Sequence, residues 1–301
     1  MRAKLQGIIP PIPTPFDDRG DVNRRALIDN VRQWMATRLA GLLVLGSNGE
    51  AALLDEAECD VMVETARAHV PPERLFLVGT GRESTRAAID AAKRAGARGA
   101  DAVLVRPPGY FKNQMTPDAL LAHFRAVADA SPVPVLLYNL PNVVGFSLTL
   151  PVVAALAEHP NIAGMKETST DLERLSQFAS VRPGDFHVLC GWAQVVYPAL
   201  TSGAPGAILA VANVIPDACV ALYDAVREGD QAEALALQRR ILPLAQLVTS
   251  VYGIAGLKIA LDRVGFYGGP VRAPLLPAPE RAIAEIRTAV DAVQHGVPSS
   301  I

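Results

Sequence analysis

Along this chain, short aliphatic runs alternate with longer segments whose apolar residues recur at helical spacing. The run Gly41-Leu42-Leu43-Val44-Leu45 is the first clear case, and after a glycine-bearing loop the stretch from Asp55 to His69 has helical periodicity. The rhythm repeats at Leu75 to Val78, Ala102 to Val105, Val133 to Tyr138, Ile162 to Lys166, His187 to Cys190 and Gly206 to Ala210. With Gly7 to Pro10 added, the pattern predicts eight strands. The runs are nearly continuous in apolar residues instead of alternating, so each strand is expected to be covered on both faces, as in a parallel sheet with helical crossovers. Eight such units completed by residue 229 predict an α/β fold, a (β/α)8 TIM barrel.

After that point the strands stop. Gln231 to Val248, Gly253 to Val264 and Pro279 to Val293 read as helices, so the expected organisation is a catalytic barrel over 1–229 and a C-terminal helical extension over 230–301. The extension is expected to pack on the barrel or on another subunit. Gly265-Phe266-Tyr267-Gly268-Gly269-Pro270 is too rich in Gly and Pro to continue a helix. The rival architecture, an open doubly wound sheet, usually carries a G-x-G-x-x-G turn after its first strand, and none is present. Gly79-Thr80-Gly81-Arg82-Glu83-Ser84 supplies two of those glycines after the third strand and reads as a tight strand-to-helix turn.

Composition narrows the function class. Half of the 301 residues are hydrophobic and 19% are charged, which suits a globular enzyme with a large aliphatic core. A formal charge of -2 and the absence of any Lys/Arg block exclude nucleic acid as an expected partner. No window reaches about 18 uninterrupted apolar residues, so no membrane association is expected. The amino terminus lacks the pattern of a signal peptide, and the expected location is cytoplasmic. Cys59, Cys190 and Cys219 are far apart and fit buried thiols. The five histidines, His69, His123, His159, His187 and His295, show no ligand spacing, so no metal site and no cofactor is expected.

In a barrel of this kind the chemistry lies at the carboxyl ends of the strands. Lys166 closes the sixth run, and Glu167-Thr168-Ser169 follows at once. Desolvation disfavours an ammonium group, and a free amine attacks ketones to form a Schiff base. Taken alone, a lysine there is better read as a stem laid on the core with its charge in water, and only its context overturns that reading. The second run ends in Gly46-Ser47-Asn48-Gly49-Glu50, where inward backbone N–H groups with Ser47 and Asn48 suit a carboxylate, although an ordinary turn has the same composition. The fifth run ends in Tyr138, a proton relay or a packed amphipathic ring. A lysine, a phenol and an anion-sized loop at one rim together point to a keto-acid site.

Gly46 to Glu50, Tyr138 to Pro141 and Gly164 to Thr168 resemble the signatures of the dihydrodipicolinate synthase and N-acetylneuraminate lyase superfamily. The resemblance runs from Gly7-Ile8-Ile9-Pro10-Pro11 through Leu209-Ala210-Val211-Ala212-Asn213 to Gly253-Ile254-Ala255-Gly256-Leu257-Lys258. It implies that Lys166 forms an imine with pyruvate, that Ser47, Asn48 and Gly49 hold the carboxylate, and that Tyr138 moves the proton. It also implies a homo-oligomer, dimer or tetramer, in which a second tyrosine comes from a neighbouring subunit. Tyr110 is the nearest match, and Ile208 matches a position whose backbone lies beside the imine.

Synthases of this superfamily place an arginine shortly after Tyr-Asn-x-Pro, where this chain has Val143. Gly46 to Glu50 and the stretches Tyr252 to Lys258 and Phe266 to Leu275 are most similar to the 4-hydroxy-2-oxoglutarate aldolases. Arg106, at the end of the fourth run, is a candidate for a distal substrate carboxylate, and a solvated or subunit-contact arginine is the alternative. The leading expectation is a class I, pyruvate-dependent aldolase for a 4-hydroxy-2-oxo acid such as 4-hydroxy-2-oxoglutarate or a 2-keto-3-deoxy sugar acid. The alternatives are dihydrodipicolinate synthase, condensing pyruvate with aspartate semialdehyde, and a non-catalytic keto-acid sensor.

Overall fold

The computed structural model describes residues 5–294. Eight strands alternate with helices: β1 (Gly7–Ile9), β2 (Gly41–Val44), β3 (Leu75–Gly79), β4 (Ala102–Val105), β5 (Val135–Asn139), β6 (Ile162–Glu167), β7 (His187–Cys190) and β8 (Gly206–Ile208). The fold is a (β/α)8 barrel with a C-terminal helical extension. Two compact units divide the described chain, one of residues 5–6 with Leu75–Ile208 and the other of Gly7–Arg74 with 209–294. No helix among the described residues is long and apolar enough to cross a membrane.

In the first unit β3 to β8 pair in sequence order, all parallel. Every residue of β3, β4, β5, β6 and β8 is buried, which is why these strands read as unbroken apolar runs. A fully buried Leu, Ile or Val contributes about 1.5–3 kcal/mol, so the side chains of one such strand outweigh any single hydrogen bond beside them. Strands β6 and β7 approach so closely at Gly164 that a Cβ there would stand 2.2 Å from the carbonyl oxygen of His187. Ser84 caps the helix Thr85–Ala97, Thr116 caps Pro117–Ala130 and Asp171 caps Leu172–Ala179, each accepting a backbone N–H of the first turn.

Several strand ends differ from the sequence pattern: β1, β2 and β8 stop one or two residues short, at Ile9, Val44 and Ile208, and β3 and β5 run one residue further, to Gly79 and Asn139. Strand β5 begins at Val135, because the chain bends at Pro132 and Val133 and the ring of Pro134 has no N–H to give a ladder. Strand β6 runs one residue past Lys166, because Glu167 stays in register with Asn139 and Cys190.

In the second unit β1 lies beside β2, with Ala40 N–H donating to Ile8 O and Leu43 N–H to Pro10 O. Asn23 caps the helix Arg24–Met35, whose Trp34 is fully buried, stacks on Phe266 at 5.1 Å and donates its indole N–H to Asn213 O. A capping box of Asp55 and Glu58 starts Glu56–Arg67. Of the expected C-terminal helices, the first spans Gln231–Gln246 and winds into a π-turn at Leu247–Val251, the second spans Gly253–Arg263 and the third Arg281–Gln294. The Gly/Pro-rich break after the second is packed tightly: a Cβ at Gly268 would stand 2.0 Å from Lys258 O.

Candidate active site

Strand pairing brings the lysine and the phenol together. Tyr138 and Lys166 are register partners on β5 and β6, so their side chains leave the same face of the sheet. Lys166 Nζ lies 3.2 Å from Tyr138 Oη and 4.5 Å from the centre of its ring. Both residues are buried, at 5% and 7% exposure, which decides against a solvated lysine end. A buried lysine hydrogen-bonded to a phenol supplies the two groups that imine formation needs, a nucleophile and a proton carrier.

The next register pair turns to the opposite face and fixes the first. Asn139 donates through Nδ2 to Glu167 Oε2 at 2.7 Å and accepts the N–H of Leu148 through Oδ1. Thr168 N–H closes the strand on Asn139 O. Burial pushes the Glu167 carboxyl up, against the hydrogen bonds from Ser169 and Asn139. Beyond β7, Gly191 donates its N–H to Glu167 O at 2.7 Å. Cys190 is buried, and burial pushes its thiol up to about 12, so it stays protonated and takes no nucleophilic part.

In the second unit, the loop after β2 is a pair of 3-10 turns, Ser47–Gly49 and Ala51–Leu53, hinged on Glu50 in the left-handed region at φ 53. Leu45 just before it is also left-handed, at φ 57, a conformation that non-glycine residues adopt only when their surroundings impose it. The turn consumes the N–H groups of Gly49 and Glu50, which donate to Gly46 O and Ser47 O. Ser47 is exposed, Asn48 half-buried and Gly49 buried, with Gly49 O accepting the hydroxyl of Thr14 at 2.6 Å.

The remaining expected residues belong to the first unit. Ile208 ends β8 and is fully buried. Tyr110 is 80% exposed and packs edge-on against Phe111 at 4.9 Å. Arg106 is not a freely solvated arginine: its Nη2 lies 2.7 Å from Glu83 Oε1, and its Nη1 donates to Pro107 O. The other oxygen of Glu83 accepts the backbone N–H groups of Gly109 and Tyr110 at 3.0 and 2.9 Å. Burial works to raise the Glu83 carboxyl, but the Tyr110 N–H, Arg106 and the Gly109 N–H together hold it below the usual range. Val143, where the superfamily's synthases carry arginine, is 69% exposed on the short helix Pro141–Val144.

Sequence reasoning did not single out Glu83, Asn139, Glu167 or Gly191. Asn139 and Glu167 follow Tyr138 and Lys166 directly, and strand alternation gives the signal that could have found them. Glu83 is paired only by the fold, and its sequence shows nothing but a turn.

A family model described as the dihydrodipicolinate synthetase family matches residues 4–293. A 4-hydroxy-tetrahydrodipicolinate synthase from Exiguobacterium sp. is 33% identical over 95% of this chain and 97% of its own length. A probable mitochondrial 4-hydroxy-2-oxoglutarate aldolase from Emericella nidulans is 35% identical over 94% of this chain and 93% of its own. Among solved structures, YagE from E. coli K12, a prophage protein of the dihydrodipicolinic acid synthase family in complex with pyruvate, is similar with a TM-score of 0.90 and 30% identity, covering 96% of this chain and 98% of that one.

Proposed function

Given that this chain belongs to the dihydrodipicolinate synthetase family and is a class I, pyruvate-dependent lyase, we propose that it is an aldolase for a 4-hydroxy-2-oxo acid, such as 4-hydroxy-2-oxoglutarate or a 2-keto-3-deoxy sugar acid. The observation that carries the reading is the buried contact of Lys166 Nζ with Tyr138 Oη at 3.2 Å. In the cleavage direction Lys166 Nζ, as the free amine, adds to C2 of the substrate, and the Tyr138 phenol gives its proton to the departing hydroxyl so that water leaves, giving a protonated imine and a phenolate. The C4 hydroxyl gives its proton to the base that Tyr138 serves as, the C3–C4 bond breaks, and its electron pair moves into the imine as an enamine while the aldehyde departs. Protonation at C3 and hydrolysis of the imine release pyruvate and regenerate the amine. The imine is itself the electron sink, so the proposal includes no metal and no nucleotide cofactor.

Ser47 and Asn48 take the substrate's carboxylate in this reading, with Gly49, whose N–H is spent on Gly46 O, shaping the turn that presents them; Ile208 lines the imine, and Tyr110 completes a neighbouring copy's site in a homo-oligomer. Arg106 is assigned the distal carboxylate of a dicarboxylic substrate, in exchange for Glu83. Val143 supports the aldolase branch, because a charged acceptor such as aspartate semialdehyde would lose a charge-assisted partner worth about 1.5–3 kcal/mol. The synthase reading is supported as well by relatives of that name, among them the Exiguobacterium synthase at 33% identity and the Methanococcoides burtonii synthase at 34%.

The test is intact mass after incubation with pyruvate and sodium borohydride. The reading expects a reduced pyruvyl adduct in the wild type and none in Lys166→Ala. Cleavage of 4-hydroxy-2-oxoglutarate with no turnover of aspartate semialdehyde would then select the aldolase branch, condensation with aspartate semialdehyde without that cleavage would select the synthase, and no adduct in either protein would reject the reading.

A further inference from the structure

Behind the Ser47–Gly49 turn lies a buried group of charges that the reaction as described does not use. Glu50 and Lys258 have side-chain exposures of 0% and 2%, and Lys258 Nζ lies 2.7 Å from Glu50 Oε1. The same ammonium donates to Pro270 O at 2.6 Å. The other carboxylate oxygen of Glu50 accepts the backbone N–H of Arg272 at 2.8 Å. The Arg272 guanidinium in turn grips Glu58, and the ring of Phe16 lies under both cations, 4.5 Å from Lys258 Nζ and 4.2 Å from Arg272 Cζ.

Burial pushes the Lys258 ammonium down, and the facing Glu50 carboxylate works against that. A buried ion pair is often no more stabilising than apolar residues of the same volume, so stability is a poor account of it; what such a pair does specify is one arrangement of the groups it joins. Here the group joined is a residue in the left-handed region, φ 53, whose N–H closes the turn on Ser47 O at 3.1 Å. Gly49, the residue before it, is tied by Thr14 and has Ile12 O at 3.2 Å from where a Cβ would stand. The turn is thus held at its closing end by Thr14 and by a carboxylate that two residues of the C-terminal segment, Lys258 and Arg272, engage.

We propose that Lys258 is a positioning residue: by holding Glu50 it sets the Ser47–Gly49 turn in the conformation that binds the carboxylate of the keto acid. The proposal deepens the function given above and rests on the assignment of Ser47 and Asn48 to that carboxylate. It gives the helix Gly253–Arg263 a part in ligand affinity although Lys258 touches no ligand.

The experiment is the dependence of borohydride trapping on pyruvate concentration in Lys258→Met, with thermal melting to confirm folding. The expected result is a half-saturating pyruvate concentration raised on the order of tenfold to a hundredfold, with the limiting rate at saturation kept, because a small displacement of binding groups weakens binding while Lys166 is untouched. If Lys258→Met fails to fold, Glu50→Gln/Lys258→Met removes the unpaired buried charge and is expected to show the same raised half-saturation. A folded variant with wild-type half-saturation, or one whose limiting rate alone falls, overturns the proposal. Ser47→Ala separates the two levels: unchanged half-saturation there rejects the carboxylate assignment itself, whereas a rise in Ser47→Ala beside a wild-type Lys258→Met rejects only the positioning role.

Discussion

Gly191 stands against the stem of Lys166 so closely that a Cβ at Gly191 would lie 2.9 Å from Lys166 Cε, 2.9 Å from Glu167 O and 2.2 Å from Thr168 Oγ1. The glycine therefore shapes the slot through which the lysine reaches Tyr138. Backbone atoms cannot yield as a flexible side chain does, so Gly191→Ala must displace β6, the lysine, or both. The expected outcome is a loss of about 1–3 kcal/mol in stability, the range for overpacking, and pyruvate trapping slowed at least about tenfold. Thermal melting and the trapping rate measure both, and a variant with wild-type trapping would show that the slot has slack.

Tyr138→Phe keeps the ring under Lys166 and removes the hydroxyl that lies 3.2 Å from Nζ. Turnover is expected to fall about 10²–10⁴-fold, the usual contribution of a positioned proton carrier, with little change in stability. Steady-state kinetics on a 4-hydroxy-2-oxo acid settle it, and a fall of only a few-fold would give the proton to another group.

Arg106→Ala is expected to raise the KM for 4-hydroxy-2-oxoglutarate about tenfold or more, the worth of a charge-assisted hydrogen bond, and to leave the KM for a 2-keto-3-deoxy sugar acid unchanged. Only the first substrate carries a second carboxylate. An unaltered KM for both would leave Arg106 as the partner of Glu83 and nothing more.

His123 supplies a pH dependence of stability. It is 5% exposed on the helix Pro117–Ala130, with Nδ1 2.9 Å from Thr85 Oγ1, and burial and then the charge of Arg106 bring its pKa from 6.5 to about 4, against the opposing charge of Glu83. The unfolded chain binds this proton near pH 6.5 and the folded chain only near pH 4, so unfolding takes up a proton between those values. The contribution, on the order of 2–3 kcal/mol, is present above pH 6.5 and is lost as the pH falls toward 4. In denaturant titrations across that window, His123→Gln should show a shallower fall in stability than the wild type; parallel curves would mean that the imidazole is not kept neutral by the fold.

The sequence by itself determined the order of elements and the adjacency of Lys166 and Tyr138. Unbroken apolar runs such as Leu75 to Val78 could be stable only as strands covered on both faces, and Lys166 and Tyr138 stood at the ends of consecutive runs, so parallel pairing had to make them neighbours. Local patterning is read directly because side-chain periodicity and capping are short-range. What the tertiary structure alone decided are contacts between distant segments: Glu83 with Arg106 and the Tyr110 backbone, Gly191 with the lysine stem, and Lys258 with Glu50. A charged residue in a sequence shows that it needs a partner or water, and a glycine shows only that a Cβ is absent. Which neighbour meets it depends on how strands and helices far apart in the chain are brought together, and that is a property of packing.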